Sequence, residues 1–85
     1  MVINASVLDL ARHHRDTWRD KSEDYWLTML MEEVGELAAS LHDEHEDPPE
    51  WEMMQISAIC LNWLWKRNAR GTCARLYTER ILQVE

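Results

Sequence analysis

The sequence contains no phenylalanine and only two residues each of glycine, proline and cysteine. An all-β domain of this size needs many glycine- and proline-rich turns, so we expect long helices joined by few turns. The two cysteines, Cys60 and Cys73, do not form a CxxC pair, which excludes the zinc and redox motifs built on that spacing. We expect isolated thiols, and hence a cytoplasmic protein. A chain of 85 residues has room for one domain.

Positive charge is scarce, with 9 Lys and Arg against 16 Asp and Glu, a formal net charge of −7. Such a surface repels phosphate backbones and anionic lipids, so we expect neither general nucleic-acid binding nor membrane binding. No apolar run approaches the roughly 20 residues that cross a membrane. The first residues also lack the basic-then-apolar order of a signal peptide, which agrees with a cytoplasmic location.

Apolar residues recur at helical spacing in four segments, about residues 3–18, 23–45, 49–69 and 72–82. Asp20, three residues before Glu23, predicts a capping box for the second helix, and Asp47 before two prolines predicts the N-cap of the third.

Two glycines also have predicted roles in this arrangement. Gly35, inside the second helix, predicts a close helix contact. Gly71 is predicted to be the residue just past the end of the third helix.

The third helix is apolar nearly all round, which is typical of a helix buried on nearly every side. Four short helices cannot cover it completely. We therefore predict an all-α fold, an antiparallel bundle of about four helices that is completed by dimerisation.

Two segments combine residues that could hold a metal ion. Glu33 and Glu36, in the string Glu32-Glu33-Val34-Gly35-Glu36, lie one helical turn apart at the flank of the apolar stripe. Like charges there repel each other, and Mg²⁺ is a usual compensating cation. Antiparallel packing of the second and third helices would bring this pair opposite Glu52 and Gln55. Acidic residues at this spacing also occur on solvated helix faces, and spacing alone leaves that alternative open.

Three further residues are candidates for contact with a substrate. Asn62 and Lys66 extend the face of Glu52 along the third helix, and Trp26 lies on the Glu33 side of the second helix. A tryptophan there could stack on a nucleobase. We expect the other tryptophans to pack in the core or at an interface. The other basic residues of the last third are expected to complement helix dipoles and pair with acidic residues.

Together the two acidic segments resemble the MazG-type all-α NTP pyrophosphatases, whose pattern is E-E-x-x-E followed, after a spacer, by E-x-x-D. Here Glu32-Glu33-Val34-Gly35-Glu36 is followed by Glu52-Met53-Met54-Gln55, with residues 37–51 between them. The segment 50–65 is most similar to the phage-type branch, which includes dATP/dGTP pyrophosphohydrolase N-terminal domains. The resemblance covers residues 27–67.

The resemblance implies a helical homodimer or higher homo-oligomer. It implies that the protein cleaves a nucleoside triphosphate to the monophosphate and pyrophosphate with Mg²⁺ or Mn²⁺, as a house-cleaning enzyme of the nucleotide pool. By the same resemblance Glu33, Glu36, Glu52 and Gln55 would bind metal. Glu32 and Glu33 would be catalytic, with Glu32 as general base or as support for the ligands.

Two positions depart from the family pattern. Gln55 stands where the family has aspartate, and Asn62 stands where this branch has a second acid. An amide offers one carbonyl oxygen and no negative charge, which weakens metal binding. Two alternatives to an enzyme therefore stay open. One is a catalytically degenerate relative that binds a nucleotide or a protein partner without turnover. The other is an acidic, dimerising helical protein with no nucleotide role.

Overall fold

The computed structural model describes residues 3–44, 46–68 and 70–82, and within them the chain forms α-helices and no strand. The helices are α1 (Ile3–Thr17), α2 (Glu23–Leu41), α3 (Pro49–Arg67) and α4 (Thr72–Arg80). The predicted all-α class is confirmed. None of the described helices is both long and apolar enough to span a membrane.

The N-cap of α2 is Ser22, whose hydroxyl accepts a hydrogen bond from the Tyr25 backbone N–H at 3.3 Å. The predicted cap at Asp20 is therefore wrong. Ser22 directly precedes the first helical residue, whereas Asp20 lies in the preceding turn, outside the cap position. Glu23 and Asp24 add negative charge to the first turn, where the helix dipole favours it.

The second helix ends at Leu41, earlier than predicted. His42 is the C-cap, and Asp43 adopts a left-handed conformation with φ of 56°. Aspartate is among the few residues other than glycine that occupy this region readily. The helix therefore ends before the acidic tract that follows Leu41, whereas the sequence predicted a helix to about residue 45. Residue 45 itself lies outside the described residues.

The third helix begins at Pro49, as predicted, but its N-cap is Pro48 and not Asp47. Pro49 takes the first helical position, where its missing N–H needs no partner. The backbone carbonyl of Asp47 accepts a hydrogen bond from the Ser40 hydroxyl at 2.8 Å. This bond fastens the end of α2 to the segment that leads into α3.

Neither glycine has its predicted role. Gly71, with φ of 69°, is the N-cap of α4, and the C-cap of α3 is Asn68. Only glycine adopts that backbone conformation without steric cost. A Cβ added at Gly35 would meet nothing within 4 Å, so the expected close helix contact there is wrong.

Helix α3 packs against both α1 and α2. It is antiparallel to α2, because Glu23 at the start of α2 bonds Arg67 at the end of α3. Helix α1 runs in the same direction as α3, with His14 bonded to Gln55 and the Arg19 carbonyl bonded to Lys66. The buried apolar core consists of Ala11, Trp26, Ala58 and Ile59. Helix α4 contributes no buried residue, so the packed bundle has three helices.

The single chain leaves several large apolar side chains exposed. Met53 and Leu64 of α3 are about half exposed, so one chain does not cover α3 on every side, as the sequence predicted. Completion of its burial by a second subunit stays a prediction. Four residues of α2 form a second exposed row, which we name the α2 stripe: Leu27, Met31, Val34 and Leu41. Their spacing places them on one side of α2.

We expect Ser22→Ala to lower the free energy of unfolding by about 1 kcal/mol, because the first turn of α2 loses its only side-chain cap bond. In a domain of this size that corresponds to a melting temperature lower by about 4–8 °C. Thermal unfolding followed by circular dichroism measures the change. Asp20→Ala is the control and should leave the melting temperature unchanged; an equal loss in that variant would contradict the assignment of the cap.

Candidate metal centre and adjoining cleft

Three carboxylates meet where α2 crosses α3. One carboxylate oxygen from each of Glu33, Glu36 and Glu52 lies within 4.8 Å of the other two. Antiparallel packing produces this arrangement, because the i, i+3 pair of α2 faces the first turn of α3. The structure thus brings together three of the four residues that the sequence predicted as metal ligands. Their role as ligands stays a prediction.

The three carboxylates differ in burial. Glu52 is fully buried, while Glu33 and Glu36 are half-buried at the edge of the interface. Burial, followed by a hydrogen bond to Glu52 and the negative charge of Glu36, raises the pKa of Glu33 to about 8. Without a cation, Glu33 therefore keeps its proton near neutral pH. A divalent cation would relieve the same repulsion that this proton relieves.

The three carboxylate oxygens lie close enough together to be candidate ligands of one metal ion. Mg²⁺ binds oxygens at about 2.0–2.1 Å, so two ligands on opposite sides of it are about 4 Å apart, and oxygens separated by up to 4.8 Å would have to move slightly closer to bind it. Glu32 is exposed and does not belong to this group, since consecutive helical residues point about 100° apart. Its catalytic role stays a prediction.

Gln55, the fourth predicted ligand, is engaged with α1. Its Oε1 accepts a hydrogen bond from His14 Nε2 at 3.0 Å. Burial lowers the pKa of His14, which favours the neutral ring, and the bond to the Gln55 carbonyl oxygen places a proton on Nε2. The ring also stacks on Trp18, with centroids 4.1 Å apart. The one oxygen that Gln55 could offer to a metal is therefore already a hydrogen-bond acceptor.

Sequence reasoning missed the role of His14. Ala11 and His14 are the buried residues of α1, and their three-residue spacing places them on one face. A buried face could have been found from that spacing, but its partner Gln55 could not, because the rotation of α1 against α3 is not set by either helix alone.

The three residues predicted to contact a substrate lie together in a different place. Trp26, Asn62 and Lys66 line a cleft of about 270 Å³ between the end of α1 and α3. The sequence did not predict the other lining residues, which are Arg15, Arg19 and Trp65. Lys66 Nζ donates a hydrogen bond to the Arg19 carbonyl at 3.2 Å. We name this the basic cleft.

Trp26 is a core residue as well as part of the cleft wall. Its side chain is 2% exposed, and its ring contacts Trp18 edge-on with centroids 5.7 Å apart. Trp63 approaches it from α3 at 6.4 Å. Packing thus holds the ring on several sides, so it forms the floor of the basic cleft and not an open stacking platform.

One ion pair sets the register of α2 against α3. Glu23 accepts hydrogen bonds from Arg67 and from Trp63 Nε1, the latter at 2.9 Å. These bonds, from Arg67 first, lower the pKa of Glu23 to about 2. The pairing of Arg67 with an acidic residue agrees with the expectation for the basic residues of this third of the chain.

Comparisons of the chain with protein-family models, with curated proteins and with solved structures gave no match. The similarity to MazG-type pyrophosphatases therefore stays a hypothesis drawn from the two acidic segments.

Without metal, the protein should lose stability as the pH rises from about 5 to 8. The folded state holds a proton on Glu33, whose pKa is about 8, whereas the unfolded state releases it near the ordinary value of 4.5. Protons bound only by the folded state make stability fall with rising pH in this window. Because water screens a half-buried group, we expect the free energy of unfolding to fall by about 1 kcal/mol, which lowers the melting temperature by about 4–8 °C.

Thermal unfolding in metal-free buffer at several pH values measures this slope. Glu33→Gln should flatten it, since a neutral amide needs no proton. Glu32→Gln, which changes the exposed neighbour, should keep the slope of the original protein. Identical slopes in all three proteins would contradict the assignment of the proton to Glu33.

Proposed function

We propose that this chain is an Mg²⁺-dependent nucleoside triphosphate pyrophosphohydrolase of the MazG type, which releases the monophosphate and pyrophosphate. The observation that carries the proposal is the convergence of Glu33, Glu36 and Glu52 within 4.8 Å at a half-buried helix crossing. Solvated acidic residues would diverge into water, whereas these three share one site. The two free cysteines favour placing this activity in the reducing cytoplasm.

Each residue of the centre has a definite part in the reaction. Glu33, Glu36 and Glu52 would hold Mg²⁺, which supplies charge neutralisation on the phosphate oxygens and a more acidic water. Water would attack the α-phosphorus and form a new P–O bond, while the bond from the α-phosphorus to the oxygen that bridges to the β-phosphate breaks and pyrophosphate leaves with that oxygen. The proton of the water passes to a carboxylate, for which Glu32 and Glu33 are the candidates. Gln55 Oε1 accepts the His14 bond with one lone pair, so only its second lone pair would be available to a metal.

Pyrophosphate release from a panel of ribo- and deoxyribonucleoside triphosphates with Mg²⁺ or Mn²⁺ tests the proposal. Glu36→Ala should lower the rate by about 100-fold or more, because loss of a direct ligand costs at least as much as loss of its supporting contacts. Glu50→Ala removes an exposed acid from the first turn of α3 and should leave the rate unchanged. Equal rates in both variants would exclude the carboxylate centre as the catalyst.

A second candidate is a catalytically degenerate relative that binds a nucleotide or a protein partner without turnover. The specific observation in its favour is Gln55, which brings no charge and whose Oε1 is bonded to His14. Gln55→Asp should then raise Mg²⁺ affinity by about tenfold and start pyrophosphate release. Calorimetric titration with Mg²⁺ measures the first effect. Silence from both proteins would leave an acidic helical protein with no nucleotide role.

We also propose that two copies associate through the α2 stripe and the exposed apolar residues of α3. Leu27, Met31, Val34 and Leu41 are between 40% and 62% exposed. Monomers rarely leave apolar residues so exposed along one continuous row. A partner covering them would complete the burial of α3 that its apolar sequence predicts, as a homodimer or a larger homo-oligomer.

Met31→Glu should convert the dimer to monomers, because a carboxylate in the middle of the α2 stripe cannot be buried without a partner. Size-exclusion chromatography with light scattering measures the mass. Glu32→Gln changes charge on the same turn outside the stripe and should keep the dimer. A monomeric mass for the original protein at micromolar concentration would refute the association.

A further inference from the structure

The basic cleft concentrates positive charge in a protein of net charge −7. Arg15, Arg19 and Lys66 line it, which are three of the nine basic residues of the sequence. Among the residues that the structure describes, no Asp or Glu lines it. Arg15 also pairs with its neighbour Asp16 at 3.8 Å, and Asp16 lies outside this lining. Three basic residues around a cleft whose lining contains no acid favour an anionic ligand.

A buried donor also lies in the wall of the cleft. Asn62 is 3% exposed and lines the cavity, and its Nδ2 has no hydrogen-bond partner within 3–44, 46–68 and 70–82. Trp26 Nε1, also buried, lacks a partner in the same ranges. A buried N–H that has lost water without gaining an acceptor costs stability. The Asn62 Nδ2 and Trp26 Nε1 atoms can donate but not accept a hydrogen bond, so the missing partner of each is an acceptor.

Aromatic walls and volume indicate the size and shape of the ligand. The Arg15 guanidinium lies 5.9 Å from the centre of the Trp65 ring, and Lys66 Nζ lies 5.7 Å from that of Trp26. The volume of about 270 Å³ far exceeds the roughly 30 Å³ of one water. A bare phosphate would leave most of this space empty, whereas a flat ring carrying a phosphate would fill it.

We propose that the basic cleft binds a small organic phosphate with a flat ring. The oxyanion pairs with Arg15, Arg19 and Lys66, because guanidinium groups match phosphate oxygens in a bidentate geometry. The ring packs beside Trp65, and an acceptor atom receives the Asn62 Nδ2 hydrogen bond. A nucleoside monophosphate is the ligand of this kind that we name, and in that choice the inference rests on the proposed function. The cleft itself shares no residue with the carboxylate centre.

Calorimetric titration in metal-free buffer distinguishes the possible ligands. The probes are the four ribonucleoside monophosphates, the matching uncharged nucleosides, and inorganic phosphate. We expect at least one monophosphate to bind about tenfold or more tightly than both its nucleoside and inorganic phosphate, since it alone makes both sets of contacts. Equal affinity for inorganic phosphate, equal affinity for the nucleoside, or no binding would each overturn the proposal.

Variants place the binding in the cleft. Arg19→Gln and Lys66→Gln should each weaken monophosphate binding by about tenfold, the usual loss for a charge-assisted hydrogen bond. Arg12→Gln is the matched control, because Arg12 lies on α1 outside the cleft and pairs with Asp9 at 3.9 Å. An equal loss in Arg12→Gln would show a general effect of net charge and overturn the assignment.

Asn62→Leu separates binding from folding. It should weaken monophosphate binding by about tenfold without lowering the melting temperature, because the amide N–H that it removes has no partner in the protein. Unchanged binding in a folded Asn62→Leu protein would overturn the role of this donor. If that variant does not fold, the two basic-residue variants still decide the proposal.

The cleft and the proposed function can fail separately. Glu36→Ala should lose pyrophosphate release and keep monophosphate binding, because it changes only the carboxylate centre. Monophosphate binding without pyrophosphate release from any triphosphate would support the cleft and reject the enzyme. Pyrophosphate release without monophosphate binding would reject the cleft and support the enzyme.

Discussion

The burial of Glu52 is the constraint on which the arrangement of the other residues depends. A carboxylate removed from water is costly unless nearby groups compensate it, yet the groups that face Glu52 from α2 are two more carboxylates. Two contacts hold α2 and α3 in this register: the Glu23–Arg67 pair at one end and the Ser40–Asp47 bond at the other. The helices thus hold the three carboxylates close together. A proton on Glu33 relieves their repulsion in part, and a divalent cation would relieve it more fully.

The neutral residue at position 55 changes the balance of this centre. Three carboxylates around one Mg²⁺ leave one net negative charge, whereas a fourth acid would leave two. The bond from His14 to Gln55 joins α1 to α3. An ionised aspartate at position 55 would change this contact, because the imidazole would then face a charged carboxylate and not a neutral amide. Under the proposed function, in which Gln55 is a ligand, position 55 would couple the packing of α1 to the charge of the centre.

The sequence was sufficient to predict what depends on periodicity within one element. Four helices and the facing of Glu33 and Glu36 toward Glu52 follow from helical spacing and antiparallel packing. Helix ends were less predictable. Ser22 and Asp20 are both good N-cap residues, so residue type alone does not show which of them directly precedes the first helical turn. The His14–Gln55 bond and the arginines of the basic cleft could not be predicted. They depend on how α1 rotates against α3, which is a property of the packed pair.

The same face of α3 connects two sites of opposite charge. Glu52 and Asn62 are separated by ten residues of one helix, about 15 Å along its axis. The carboxylate centre at one end attracts cations, while the basic cleft near the other attracts anions. An acidic protein can hold a polyanion only where its own field is locally reversed, either by a bound metal or by grouped basic residues. The ligand proposed for the basic cleft would carry its phosphate beside the grouped basic residues and its ring beside Trp65, about 15 Å along α3 from the carboxylate centre. This separation of charge along α3, more than the acidic cluster taken alone, supports the proposal that the chain binds a phosphorylated ligand as well as a metal ion.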